Sequence, residues 1–226
     1  MNASLPRRAL AEALGSALLL AAIVGSGVMA QALSGGNTGL ALLCNTVATG
    51  AMLAVLIVIF GPVSGAHFNP AVSLAMLWSG KLRAADLAVY ILAQIVGAIV
   101  GVLVAHAMFD LPLLQTALKA RTGAAQWFSE CVATFGLLLT IFGCSAHRED
   151  ATPFAVALFI TSAYWFTAST SFANPAVTIA RALSDTFAGI APAHVPAFIV
   201  AQLVGASAAL AVAPLFEAQR AHNNAR

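Results

Sequence analysis

Long apolar stretches alternate with short polar connections along this chain. Nearly unbroken apolar segments run approximately 9–32, 39–60, 85–107, 126–146, 153–168 and 194–216. A hydrocarbon core about 30 Å thick needs around 20 apolar residues per helix, so the pattern predicts six membrane spans, the fifth the shortest. Two further apolar runs, 69–79 and 174–184, are too short to cross. At 1.5 Å per residue each would reach roughly 16 Å, about half the membrane. Both half-spans open with the same tripeptide, Asn69-Pro70-Ala71 and Asn174-Pro175-Ala176. Asn is a good helix N-cap, and Pro suits the first helical position because its missing N–H had no partner there. Each tripeptide therefore predicts an abrupt helix start with its positive dipole end exposed.

The two halves repeat. Glu12 has a counterpart in Glu130, Asn69 in Asn174, and Ala93-Gln94-Ile95-Val96-Gly97-Ala98 in Ala201-Gln202-Leu203-Val204-Gly205-Ala206, in the same order at spacings of 105 to 118. Chance similarity between apolar helices explains one such match but not the ordered set. The repeats, approximately 9–108 and 126–216, carry three spans each, so the second enters the membrane inverted. The half-spans would then approach from opposite faces and meet near the midplane. The prediction is an all-α membrane protein, one domain over residues 1–226, with six transmembrane helices and two re-entrant half-helices.

Composition agrees. The chain is 61% hydrophobic and 8% charged, against about a quarter charged in a soluble domain. A net charge of +2, scattered along the chain, gives no basic face for nucleic acid. Cys44, Cys131 and Cys144 lie in apolar runs and read as small buried hydrophobes. No metal cluster, nucleophile–base pair or phosphate loop is visible, so neither a cofactor nor an enzyme is expected. Arg7 and Arg8 before an apolar run imitate a signal peptide, but the run is long and holds Glu12, so it is expected to stay as the first span. Arg7, Arg8, Lys81, Arg83, Arg148, Arg220 and Arg226 fall on one side of this topology, and Lys119, Arg121 and Arg181 on the other. The positive-inside bias then predicts a plasma-membrane protein with both termini cytoplasmic.

The stretches before the two Asn residues must line water or be buried in protein, because irregular backbone facing lipid is too costly. Extended backbone there would present carbonyl acceptors, and each Asn amide could cap its helix through oxygen while offering N–H to a lumen. Asp would cap as well but would attract cations. Ser64-Gly65-Ala66-His67-Phe68-Asn69-Pro70-Ala71-Val72 and the second Asn174-Pro175-Ala176 resemble the signature loops of the aquaporin and aquaglyceroporin (major intrinsic protein) family. Glu12, Glu130, Gln94 and Gln202 fit that family's repeated helix motifs. The resemblance covers nearly the whole chain. It implies a homotetramer with a pore in each subunit, passive conduction of water or small uncharged solutes, and hydrogen-bond donation by Asn69 and Asn174 at the pore centre. Gly65, Ala66, His67, Phe68, Phe172 and Ala173 would line the pore beside them.

Some residues carry two readings. Glu12 and Glu130 could couple protons or, as the resemblance implies, accept hydrogen bonds from the re-entrant backbone; the lack of a base at similar depth favours the second. His67 could be a proton-sensitive gate or a neutral imidazole that lines the pore or braces the loop. Most family members follow the second tripeptide with Arg, whereas Val177 stands here. By spacing, Thr49, Ser162 and Ser171 join Val177 as constriction positions, with Ala163 or Tyr164 as alternatives to Ser162. A Thr/Ser/Ser/Val set lacks a bulky member and looks like a pore for larger neutral solutes, and Val in place of that Arg resembles a bacterial branch associated with arsenic detoxification. That likeness implies passage of glycerol-type polyols, trivalent arsenic or antimony hydroxides and methylated arsenicals. Arg181, one turn beyond Val177, reads either as a charge at the mouth or as an interfacial anchor. The rival function is an ion-coupled secondary transporter built on the same inverted repeats, although no titratable group stands at the half-helix starts.

Overall fold

The computed structural model describes residues 3–216, so Arg220, His222 and Arg226 lie outside the described residues. Its α-helices are α1 (Leu5–Leu33), α2 (Thr38–Ser64), α3 (Pro70–Trp78), α4 (Ala84–Met108), α5 (Ala124–His147), α6 (Thr152–Phe166), α7 (Pro175–Arg181) and α8 (Val195–Val212). Among the described residues, five segments are long and apolar enough to cross a membrane: α1, α2, α4, α5 and the stretch Pro192–Phe216 that contains α8. The remaining expected span, α6, has 15 residues and rises only about 22 Å. A 3-10 turn at Glu149–Ala151 extends it at its start.

The short helices begin where the tripeptides predict. Asn69 is extended (φ −157°, ψ 118°) and its side chain accepts from the Ala71 amide; Asn174 (φ −158°, ψ 114°) accepts from Ala176 and Val177. Pro70 and Pro175 then enter the helix without an amide to satisfy.

Packing follows the repeat. α1 lies mainly on α4, as α5 lies on α8, while α2 against α6 joins the two halves. Close approach comes from glycine. A Cβ on Gly97 or Gly101 would collide with the carbonyls of Ala13 or Ala17, and one on Gly205 with that of Cys131. Small residues permit such contact where no hydrophobic force draws helices together in lipid.

Burial runs opposite to that of a water-soluble protein. Glu12, Gln94, Glu130 and Gln202 are wholly buried, whereas Leu92, Val96, Val100 and Val104 form an exposed stripe along α4. Lipid satisfies the stripe, and only protein partners can satisfy the polar groups. The three cysteines are free, Cys44 exposed and Cys131 and Cys144 half-buried, so they face outward more than expected. Arg8 is buried and pairs with Asp86 at 2.8 Å, which Arg83 also binds. His106 is buried between the Leu113 carbonyl and the Ser184 hydroxyl, both at 2.9 Å.

Candidate pore

The two re-entrant segments are held by matching acceptors. Glu12 accepts from the amides of His67 (3.0 Å) and Phe68 (2.7 Å), the Ser64 hydroxyl (2.6 Å) and Gln94 Nε2 (2.8 Å). Glu130 accepts from the amides of Phe172 and Ala173, both at 2.8 Å, and from Gln202 Nε2 at 2.6 Å. Gln94 also donates to the Ser73 hydroxyl, and Gln202 to that of Thr178, each in the half-helix that precedes it in the chain. The three repeated landmarks of the sequence therefore meet in two polar clusters. Each cluster gives buried backbone donors a charged acceptor, which makes a carboxylate tolerable at that depth.

These acceptors hold an unfavourable backbone. Ala66 and Phe68 have φ of 51° and 48°, and Ser171 and Ala173 both have 48°. Left-handed conformations cost non-glycine residues about 1–2 kcal/mol each. They persist because carboxylate and hydroxyl partners fix the adjoining amides.

The asparagines tie the two halves together. Asn69 Nδ2 donates to the Ala173 carbonyl and Asn174 Nδ2 to the Phe68 carbonyl, both at 2.8 Å. An amide nitrogen carries two hydrogens, so each Asn spends one on the opposite segment and keeps one. Both asparagines border a cavity of about 740 Å³. Gly65, Ala66, His67, Phe68, Phe172 and Ala173 share its wall. Pro70, Ala71, Pro175 and Ala176 are buried and take no part in the lining. His67 Nδ1 lies 3.0 Å from the Ser73 hydroxyl, and its ring leans on Tyr90.

Of the constriction positions carried over by spacing, Thr49, Ser171 and Val177 line the cavity. Ser162 does not: it is exposed and donates to the Phe159 carbonyl of its own helix at 2.8 Å. α6 turns Val156, Ile160 and Tyr164 to the cavity instead, a four-residue repeat along one face. The Tyr164 hydroxyl reaches the Thr49 hydroxyl at 3.5 Å. The wall thus includes a bulky aromatic that the Ser162 alignment omits.

For Arg181 the position separates its two readings. It is 2% exposed, borders the cavity and donates through Nε to the Ala188 carbonyl. That placement is incompatible with an interfacial anchor. Arg121, from the connection between α4 and α5, arrives beside it without any motif to announce it. Its Nε donates to Gly189 O at 2.8 Å and its Nη1 to Ser169 O at 3.0 Å. Both guanidiniums lie over the Phe172 ring, with Cζ 4.9 Å from the centroid for Arg121 and 3.5 Å for Arg181. Nearby, Lys119 donates to the Phe187 carbonyl at 2.7 Å. Partial burial, then repulsion from Arg121 and Arg181, pushes its ammonium down to about 8.

Opposed half-helices, carboxylate-braced loops and cross-linked asparagines beside a shared cavity define a multi-pass membrane channel. A model of the family described as major intrinsic protein matches residues 1–153, and the chain belongs to that family. It is 59% identical over 209 residues to the aquaglyceroporin AqpS of Rhizobium meliloti (strain 1021), covering 92% of this chain and 89% of that one. It is 31% identical over 156 residues to the glycerol uptake facilitator protein-like 6 of Lactiplantibacillus plantarum, covering 65% and 72%. The X-ray structure of the aquaglyceroporin from Plasmodium falciparum superposes with a TM-score of 0.70 over 95% of this chain and 99% of that one, at 22% identity. That last likeness concerns the fold.

Proposed function

We propose that the protein passively conducts small uncharged solutes: glycerol-type polyols, metalloid hydroxides such as arsenite, methylated arsenicals and water. The reading rests chiefly on Asn69 and Asn174, each with one amide hydrogen left over beside the cavity. The aquaglyceroporin AqpS, similar along almost its whole length, supports the solute class. A neutral donor pair can replace part of a hydroxylated solute's hydration without holding an ion.

In this reading Thr49, Tyr164, Ser171 and Val177 form the narrow part. Val177 leaves it wider and more apolar than an Arg would, so selection there is by size more than by charge. Glu12 and Glu130 act as loop braces and His67 as a neutral wall residue. The working unit is residues 1–226 as one domain, with repeats approximately 9–108 and 126–216, assembled as a homotetramer in the plasma membrane with both termini cytoplasmic. Cross-linking in membranes would read the assembly, and protease access to terminal tags would read the orientation.

The deciding experiment is a permeability panel of water, glycerol, urea and arsenite in proteoliposomes, for the wild type and Val177→Arg. Glycerol and arsenite flux independent of ion gradients is expected, with at least a tenfold fall for arsenite in Val177→Arg. Saturable uptake that needs a proton or sodium gradient would replace the channel with a transporter.

A further inference from the structure

Among the described residues, Arg181 is a buried cation with no carboxylate partner. Its Nε is engaged by the Ala188 carbonyl, but Nη1 is buried and has no hydrogen-bond partner among the described residues. The ion pairs among the described residues join Arg8 and Arg83 to Asp86, and Arg148 to Asp150. None reaches Arg181. A buried cation without a carboxylate is costly and is retained in membrane proteins mainly where it faces water or a solute path. Arg181 borders the cavity that both asparagines border.

Its neighbour shows what a purely structural arginine looks like here. Arg121 uses Nε and Nη1 on the Gly189 and Ser169 carbonyls and on the Thr170 hydroxyl. It takes no part in the cavity wall. Arg181 instead sets its guanidinium over Phe172, with Cζ 3.5 Å from the ring centroid, and binds the described residues through Nε alone. Phe172 is itself fixed, by its amide on Glu130 and by an edge-to-face contact with Phe198 at 5.3 Å. The equivalent residue of the first repeat, 105 positions earlier, is the apolar Met76, which also borders the cavity. Repeat architecture therefore does not require a cation at this place.

We infer that Arg181 is a specificity-determining residue: it donates hydrogen bonds to the oxygens of an uncharged polyhydroxy solute and supplies the fixed positive charge that excludes cations and protons, one helical turn beyond Val177. The inference deepens the channel reading and rests on it. Phe172 and Arg121 act as positioning residues, holding the guanidinium plane and the loop behind it. Val177 and Arg181 lie four residues apart, hence on one face of α7, so the charge can be moved between them along a single stripe.

The test uses proteoliposomes containing wild type, Arg181→Met, and the double variant Val177→Arg with Arg181→Met. Met copies the first repeat and keeps an unbranched stem. Expected for Arg181→Met is at least a tenfold rise in sodium and proton leak, with reduced preference for glycerol over the non-hydroxylated urea. The double variant should bring the leak back toward the wild-type value. Leak and preference equal to wild type in a variant with an unchanged melting temperature would overturn the inference. Should Arg181→Met fail to fold, phenylglyoxal on unmutated channel decides. Labelling of Arg181, seen by mass spectrometry and slowed by molar glycerol, supports the assignment, and labelling indifferent to glycerol overturns it. Wild type that conducts neither glycerol nor arsenite would sink the channel reading itself, a result distinct from either.

Discussion

In the first repeat the re-entrant segment carries His67, whose ring leans on Tyr90 at 5.2 Å. In the second, Phe172 occupies the matching place and leans on Phe198 at 5.3 Å. The Tyr90 hydroxyl donates to the Ser64 carbonyl at 2.7 Å. Phe198 has no hydroxyl, and the matching Ser169 carbonyl is satisfied by Arg121 from a connection between the repeats. Where the first half-helix puts Val72 and Met76 on the cavity, the second puts Val177 and Arg181. The backbone demands are the same in both halves, because a left-handed loop feeding a buried helix start leaves the same orphan groups. The donors that meet those demands differ. The first repeat draws on its own helices, whereas the second recruits a distant cation. The first half-helix thereby brings only apolar side chains to the cavity and the second brings a cation, on a shared frame.

Removing a carboxylate brace should break this frame most severely. Glu12→Ala strands two amides, a hydroxyl and the Gln94 amide, at about 1–3 kcal/mol per buried group. We expect little folded protein by size-exclusion chromatography. Glu130→Ala frees one donor fewer and should be the milder lesion; equal melting temperatures would deny the difference between the braces.

Asn69→Asp and Asn174→Asp come next. A carboxylate still caps but cannot donate to the Ala173 or Phe68 carbonyl, and it brings a negative charge to the centre. Glycerol flux should fall about tenfold, a barrier increase of about 1.4 kcal/mol, while cation leak rises. Unchanged flux in both would remove the asparagines from the conduction path.

Tyr90→Phe converts the first brace into the second without its rescuing arginine. Leaving the Ser64 carbonyl unpaired should cost about 1 kcal/mol, read as a lower melting temperature. A neutral outcome would show that this carbonyl finds water.

The smallest effect concerns Lys119, near Arg121 and Arg181 but outside the cavity wall. Because its ammonium sits below the usual lysine range, at about 8, the proton leaves between pH 7 and pH 9. Acylation of Lys119 by an amine-reactive ester should reach half its plateau near pH 8. Neutral-solute flux should change by less than about twofold over that interval, since a single partly screened charge is worth little.

Much of the frame can be read from the chain without coordinates. Asn-Pro pairs define helix starts through local capping rules, and apolar runs define spans through length alone. Glu12, Glu130, Gln94 and Gln202 are conspicuous because polar residues inside such runs need a partner. These properties depend on near neighbours or on the thickness of the bilayer, so the residues themselves carry them. The fifth-helix position is a different case: spacing leaves Ser162, Ala163 and Tyr164 open and puts Ser162 first, whereas Tyr164 borders the cavity. Which face of α6 meets the cavity depends on how the helix rotates against α2, and spacing counted back from Asn174 through an irregular loop carries no such information. Arg121 reaches Ser169 across 48 residues, and no motif signals it. Arg181 looks like an ordinary helix-end cation until Phe172 and the 188–190 segment close around it.

The sequence by itself therefore determined the class of molecule: spans, inverted repeats, two opposed helix starts and the carboxylates that anchor their loops. Only the tertiary structure decided the chemistry around the two half-helices, because that depends on which distant side chain reaches each orphan carbonyl. Local propensities and hydrophobic periods act over a few residues, whereas charge placement in a low-dielectric interior depends on three-dimensional neighbours.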